Sequence, residues 1–231
     1  MKYMGSKNRL AKYILPTMLA KRYAGQTWVE PFVGGANIID KVYGERIGYD
    51  IDEHAINALI TIRDSVNSLS KNNAEFTELD YSNLRDCRYI YMSYAGFAFS
   101  YGAKWLGGWR RDKEGCRDYV KEAYKNALKQ SPNLQGVKFI RSIYQDLEIP
   151  TNSIVYCDPP YANTTKYKNE IDYKYFWQWC RDKSEEGHTV FVSEYAAPDD
   201  FECVWEKEFT SSLTRDTGSK MAVERLFKYR Y

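Results

Sequence analysis

Short continuous apolar runs alternate along the chain with longer stretches in which apolar residues recur every three or four positions. That is the pattern of buried strands separated by amphipathic helices. Ser153-Ile154-Val155-Tyr156-Cys157 is the clearest run and reads as a buried strand. Thr27-Trp28-Val29-Glu30, Arg46-Ile47-Gly48-Tyr49, Val137-Lys138-Phe139-Ile140 and Thr189-Val190-Phe191-Val192-Ser193 read as its neighbours. Ser6 is placed to cap a helix over residues 7–21, with Leu10, Ile14 and Leu15 inward. An apolar stretch after Asn37 begins another helix, and residues 53–68 carry Ile56, Leu59, Ile60 and Ile62 near helical spacing. A helix over 173–186 stops at Gly187, a C-terminal cap. Two more strands, near 203–206 and 224–228, suit an antiparallel pair closing a parallel sheet. The expected fold is therefore α/β, with a mostly parallel sheet.

Residues 69–136 break this rhythm. Within them, residues 93–111 interleave rings, glycines and cations, including Lys104, Trp105, Trp109, Arg110 and Arg111. Rings that stack and cations that bind phosphate or guanine suit nucleic acid. An ordinary loop-rich core with solvated arginines is the plainer alternative. Residues 114–130 read as a polar helix ending before Ser131-Pro132. The division that follows is one unit of 1–68 with 137–231, and an inserted unit of 69–136.

Composition narrows the classes. Apolar residues make up 44% of the 231, enough for a core. The net charge of +2 means that any basic patch is local. An aromatic share of 16% suggests a surface that stacks on something flat. The five cysteines are scattered without a C-x-x-C, which points to reduced thiols in a cytoplasmic protein and away from zinc. His54 and His188 are the only histidines, so a histidine metal centre is not expected. No long apolar run suggests a membrane span.

The candidate chemistry collects at strand ends. Asp158-Pro159-Pro160-Tyr161 follows the central apolar run. A proline pair stops a ladder and fixes φ, so the Asp carboxylate and the Tyr ring are held at the carboxyl edge of the sheet. Ligands of open α/β sheets bind at that edge. Pro31-Phe32-Val33-Gly34-Gly35 follows the Glu30 strand, where paired glycines allow close approach to the backbone. It does not match the dinucleotide fingerprint. Asp50 comes 20 residues after Glu30, at the tip of the second strand, the position that binds ribose hydroxyls. Asp52 is free to cap the next helix and so leaves Asp50 available. In Tyr3-Met4-Gly5-Ser6-Lys7, Lys7 could neutralise a ligand carboxylate, or the stretch could simply be the start of a basic helix. Asp146 could bond a purine amino edge or sit in a surface turn. The loop with Asn163 and Lys166 is polar.

Set side by side, these motifs resemble the Dam-type (D12 class) family of N6-adenine DNA methyltransferases, in the family's order and over nearly the whole chain. The resemblance implies a Rossmann-like class I methyltransferase sheet with an inserted, mainly helical target-recognition domain. It implies S-adenosylmethionine as cofactor and flipped-out adenine in double-stranded DNA as acceptor, without a metal. Asp158, Pro159, Pro160 and Tyr161 correspond to the catalytic motif. Tyr3, Met4, Gly5, Lys7, Glu30, Pro31, Phe32, Gly34, Gly35, Asp50, Ile51, Asp146 and Asp158 correspond to the cofactor site. Lys104, Trp105, Trp109, Arg110, Arg111, Asn163 and Lys166 are the expected DNA contacts. A monomer or weak dimer in a bacterial cytoplasm, chromosomal or phage-encoded, is the expected setting. Cytosine N4 or RNA as acceptor, or a catalytically silent DNA-binding homologue, are the alternatives. The Arg-Tyr-Asn stretch of GATC-specific members is absent, so that specificity is not implied.

Overall fold

The structure is a computed structural model that describes residues 1–86, 91–161, 171–210 and 221–230. Its described strands form one sheet. β1 (Trp28–Glu30), β2 (Arg46–Asp50), β3 (Val137–Arg141), β4 (Ile154–Cys157) and β5 (Thr189–Glu194) are parallel. β6 (Phe201–Thr210) and β7 (Met221–Tyr229) close it in the order β3-β2-β1-β4-β5-β7-β6, with β7 antiparallel to both neighbours. The strand order reverses between β1 and β4, which opens a crevice at their carboxyl ends. Glu30, Asp50 and Asp158 all lie at that edge, as the parallel registers require.

The central strands β1, β4 and β5 are buried on both faces, whereas the edge strand β3 exposes Lys138, Ile140 and Arg141. Trp28, Ile154 and Tyr156 point into one layer, while Val29, Val155 and Cys157 point into the other, as the two-residue strand period demands. The first layer is built by α1 (Ala11–Leu19), α2 (Glu53–Ser65), α4 (Met92–Ala98) and α5 (Tyr119–Leu134). The second is built around α6 (Tyr173–Glu185), with Phe176 and Trp177 buried. The short α3 (Glu78–Ser82) carries a capping box between Thr77 and Asp80. Among the described residues no helix is long and apolar enough to cross a membrane.

Several expected boundaries move. Ser6 does cap, accepting from Asn8 N, but it caps a 3-10 turn over Lys7–Arg9, and the α-helix ends at Leu19. After Asn37 there is only a 3-10 turn, Ile39–Lys41. Gly44, at φ 84°, turns the chain into β2 before a helix has room to form. The polar helix begins at Tyr119, not at 114, because Gly115 takes φ 66° and Asp118 caps by accepting from Lys121 N. It then runs past Pro132 to Leu134. Arg46 explains that extension: its guanidinium donates to Asn133 O (2.7 Å) and Gln135 O (2.6 Å), satisfying carbonyls at the helix end. The inserted helices share their core with the sheet. Tyr94, Phe97, Val120, Ala123 and Leu134 lie in one apolar cluster with Trp28 and Tyr156.

Candidate active site

The N-terminal segment lies across the first strand's turn. A Cβ on Gly35 would meet Asn37 Nδ2 at 2.5 Å, Met1 O at 2.7 Å and Tyr3 Cβ at 2.8 Å. A Cβ on Gly34 would touch the Tyr3 ring at 3.0 Å, and Gly34 also takes φ 48°. The expected reason for the glycine pair was close approach by a ligand. The observed close approach on this side is by the chain's own Tyr3 segment. Gly34 N instead donates to Asp50 Oδ2 (2.9 Å), and Asp52 N donates to Asp50 Oδ1 (3.0 Å). Asp52 caps α2, accepting from His54 N (2.9 Å) as expected. Asp50 is thus not the cap; each of its oxygens accepts one backbone N–H and keeps a second lone pair for a ribose hydroxyl. Burial pushes the Asp50 carboxyl up to about 6, against the pull of those hydrogen bonds. Glu30 is buried, accepts from Trp28 Nε1 (2.8 Å), and burial raises its pKa well above the ordinary range.

The ends of β2 and β3 supply an apolar edge. Ile51 and Ile143 stay 43% and 39% exposed, although each is a large aliphatic residue. Ser142 N donates to Asp50 O (3.0 Å) and Asp146 N to Ile143 O (3.2 Å), which brings the exposed Asp146 to the same edge. Exposed isoleucines beside a carboxylate with Asp50 nearby fit a nucleoside: an apolar floor, an acceptor for an amino group, and an acceptor for ribose hydroxyls. On that observation the residues present fit S-adenosylmethionine.

At the end of β4 stands a cluster of charged residues, Lys7, Asp158 and Glu224. Asp158 Oδ1 lies 3.1 Å from Lys7 Nζ as an ion pair. The Asp158 side chain keeps 21% of its surface exposed, although Oδ1 itself is buried. Burial raises its pKa to about 6; Lys7 pulls it down while Glu224 and Glu194 push it up. Burial would lower Lys7, but Asp158 and Glu224 outweigh it and hold Lys7 above its ordinary value. Lys7 Nζ also sits 4.2 Å from the centroid of the Tyr161 ring. The expected role of Lys7 was to face a ligand carboxylate; here it faces the chain's own Asp158.

Residues that the sequence reading passed over hold this cluster. Tyr161 donates its hydroxyl to Glu224 Oε2 (2.8 Å), whose carboxylate is also 3.8 Å from Lys7 Nζ. Tyr195 packs edge-on against Tyr161 at 4.6 Å. The Tyr173 hydroxyl lies between Pro160 O and Glu194 Oε1, 2.8 Å from the latter, and so ties the proline turn to α6 and β5. A signal for both acids was present. Glu224 shares a strand face with the fully buried Leu226, and Glu194 shares one with Val192. A charged residue on an inward face requires a partner.

The insert uses its rings differently from the expectation. Trp105 stacks on His54 at 3.8 Å with rings 10° apart, and Trp109 packs among Phe76, Tyr81 and Phe99. Both tryptophans are half-buried, packed against the core with part of each ring at the surface. Arg110 lies over the Tyr119 ring at 4.1 Å and 3.9 Å from Glu122, while Arg111 pairs with Glu78. Lys104 is exposed, as is Tyr101 at 61%, a ring that the sequence reading did not single out. Asn163 and Lys166 lie outside the described residues.

Comparison with solved structures finds distant likenesses. The N-terminal domain of human METTL16 in complex with SAH is 8% identical, with a TM-score of 0.45, over 99% of this chain and 71% of that one. Human methyltransferase 10 domain containing protein is 6% identical, with a TM-score of 0.44, over 99% and 84%. SMU.472 complexed with SAH is 11% identical, with a TM-score of 0.37, over 96% of this chain; the chain spans about half (52%) of its length. No curated protein matches the sequence. The sequence model of one family, however, matches residues 3–215, from Tyr3 through the catalytic turn into the last strand pair. The chain belongs to the D12 class N6 adenine-specific DNA methyltransferases.

Proposed function

We propose that the chain transfers a methyl group from S-adenosylmethionine to N6 of an adenine flipped out of duplex DNA. The observation that carries this is the Asp158–Tyr161 turn, with a carboxylate held between Lys7, Glu224 and the Tyr161 ring. Bound S-adenosylmethionine supplies an electrophilic methyl on a sulfonium. Ile51, Asp146 and Asp50 would hold its nucleoside, with Tyr3, Met4, Gly5, Glu30, Pro31, Phe32, Gly34 and Gly35 framing the rest.

Adenine N6 is a weak nucleophile, because its lone pair is delocalised into the ring. Asp158 and the Pro159 carbonyl accept its two N–H bonds and favour positive charge growing on nitrogen. In-line placement then counts for more than proton transfer. The N6 lone pair forms the bond to the methyl carbon, the carbon–sulfur bond breaks, and one N6 proton is released. Tyr161 offers a stacking face to the extruded base, its ring fixed through Glu224 and Tyr195. Lys7 occupies one side of that ring, so the base takes the other side or displaces the ammonium.

Residues 69–136 are the target-recognition unit in this reading, with Lys104 and Tyr101 as its exposed cation and ring. Methylation-sensitive sequencing of DNA from cells expressing the chain tests the proposal. Modified adenines within one recurring motif are the expected result. Unmodified DNA, or methyl groups on cytosine, would reject it.

A further inference from the structure

The cations of α1 and β6 stand outside the cluster just described. Lys207 Nζ lies 3.6 Å from the centroid of the Tyr13 ring, and Lys12 Nζ lies 4.8 Å from it. Two ammonium groups from different elements thus converge on one ring. The two ammonium groups lower the pKa of the Tyr13 hydroxyl. Asn8, Arg9, Ala11, Lys12, Tyr13 and Leu15 line an open cleft of about 440 Å³. Arg9, Lys12 and Lys207 are exposed. Lys41, which also borders the cleft, is occupied with Asp40 Oδ1 and Asn37 O, both at 2.7 Å. Like charges held together repel, and an anion placed between them relieves that cost.

The position of this cluster narrows the choice of anion. Lys12 follows Lys7 by five residues, roughly 8 Å along a helical rise. Lys7 touches Asp158, and Lys207 is the register partner of Glu224, which holds Tyr161. Both arms therefore lead to the Asp158 carboxylate through Lys7, the Lys207 arm by way of Glu224. Each strand of DNA carries one phosphate per ~3.4 Å of helix axis, so a phosphate flanking the target nucleotide comes near that reach.

We propose that Arg9, Lys12, Tyr13 and Lys207 form a phosphate seat that grips the DNA backbone beside the flipped nucleotide. The seat rests on the reading that the chain acts on duplex DNA. It is separate from the insert, reads no bases, and acts alike on every sequence. The three cations bind phosphate oxygens by charge, and the Tyr13 ring holds Lys12 and Lys207 side by side.

The test uses the full chain with Lys12→Gln, Lys207→Gln and the double substitution. Binding of cognate and shuffled unmethylated duplexes is measured across salt concentrations, and S-adenosylmethionine binding is measured by calorimetry. Each single variant should flatten the slope of log K against log salt by about 0.9, and the double variant by about 1.8. Cognate and shuffled duplexes should weaken by the same factor, with cofactor affinity unchanged. A double variant that keeps the parent slope and affinity overturns the seat alone. Loss confined to the cognate duplex also overturns it, since that is base reading. A parent chain without affinity for duplex overturns the DNA reading and the seat with it.

Discussion

Asp158 is useful to an amine only as a carboxylate. Its pKa stands at about 6, so below that pH it is protonated and presents a donor to a group that is itself a donor. The expected kcat/KM therefore rises with pH through about 6 and levels above it. Lys7→Met removes the cation that holds this pKa down, so the acid limb of the profile should move to higher pH. Asp50 carries a second residue-level prediction. Asp50→Ala should weaken S-adenosylmethionine binding by ~1–3 kcal/mol in calorimetry, the scale of a lost charged hydrogen-bond partner. Part of that loss comes from freeing Gly34 N and Asp52 N, which Asp50 now holds. The position of the Asp158–Tyr161 turn at the end of β4 was legible in the sequence because prolines and a terminal carboxylate follow an apolar run. Glu224 and Glu194 were not named there, because their meaning depends on strand faces that appear only once the register of β5 and β7 is known.

At the scale of elements, the strands were legible because a buried parallel strand has to be apolar on both faces. Boundaries set by distant partners were not. The end of α5 depends on Arg46, far away in sequence, and residues 38–42 fold as they do because β2 follows so closely. Gly96 shows the same dependence. Nothing around it in sequence marks it, yet a Cβ there would meet the Trp105 ring at 2.1 Å. Trp105 is already stacked on His54, so it has little freedom to move away. Gly96→Ala should overpack α4 and cost about 1–3 kcal/mol. Thermal unfolding should show this as a drop of several degrees, with the Asp158 cluster chemically unchanged.

The whole molecule is a sheet whose carboxyl edge gathers Asp50, Glu30 and Asp158, with an insert packed onto α2 rather than hung beside it. The motif order implied an insert over residues 69–136; that its helices share one apolar cluster with the sheet did not follow from local pattern, since contacts between Val120 or Phe97 and the Trp28 layer are long-range. Within the proposed recognition unit, Lys104→Ala should weaken all duplexes alike and reduce the salt dependence by about one unit. Arg111→Ala should do less, because that guanidinium already pairs with Glu78. The central claim is methyl transfer to adenine N6 by the Asp158 turn. Its most direct test incubates the chain and Asp158→Ala with S-adenosylmethionine and unmethylated duplex DNA, then digests the DNA and measures methylated nucleosides. The account predicts N6-methyldeoxyadenosine from the parent and at least ~10²-fold less from Asp158→Ala, the scale of one lost preorganised polar partner. No N6-methyldeoxyadenosine from the parent, or equal amounts from both, would contradict it.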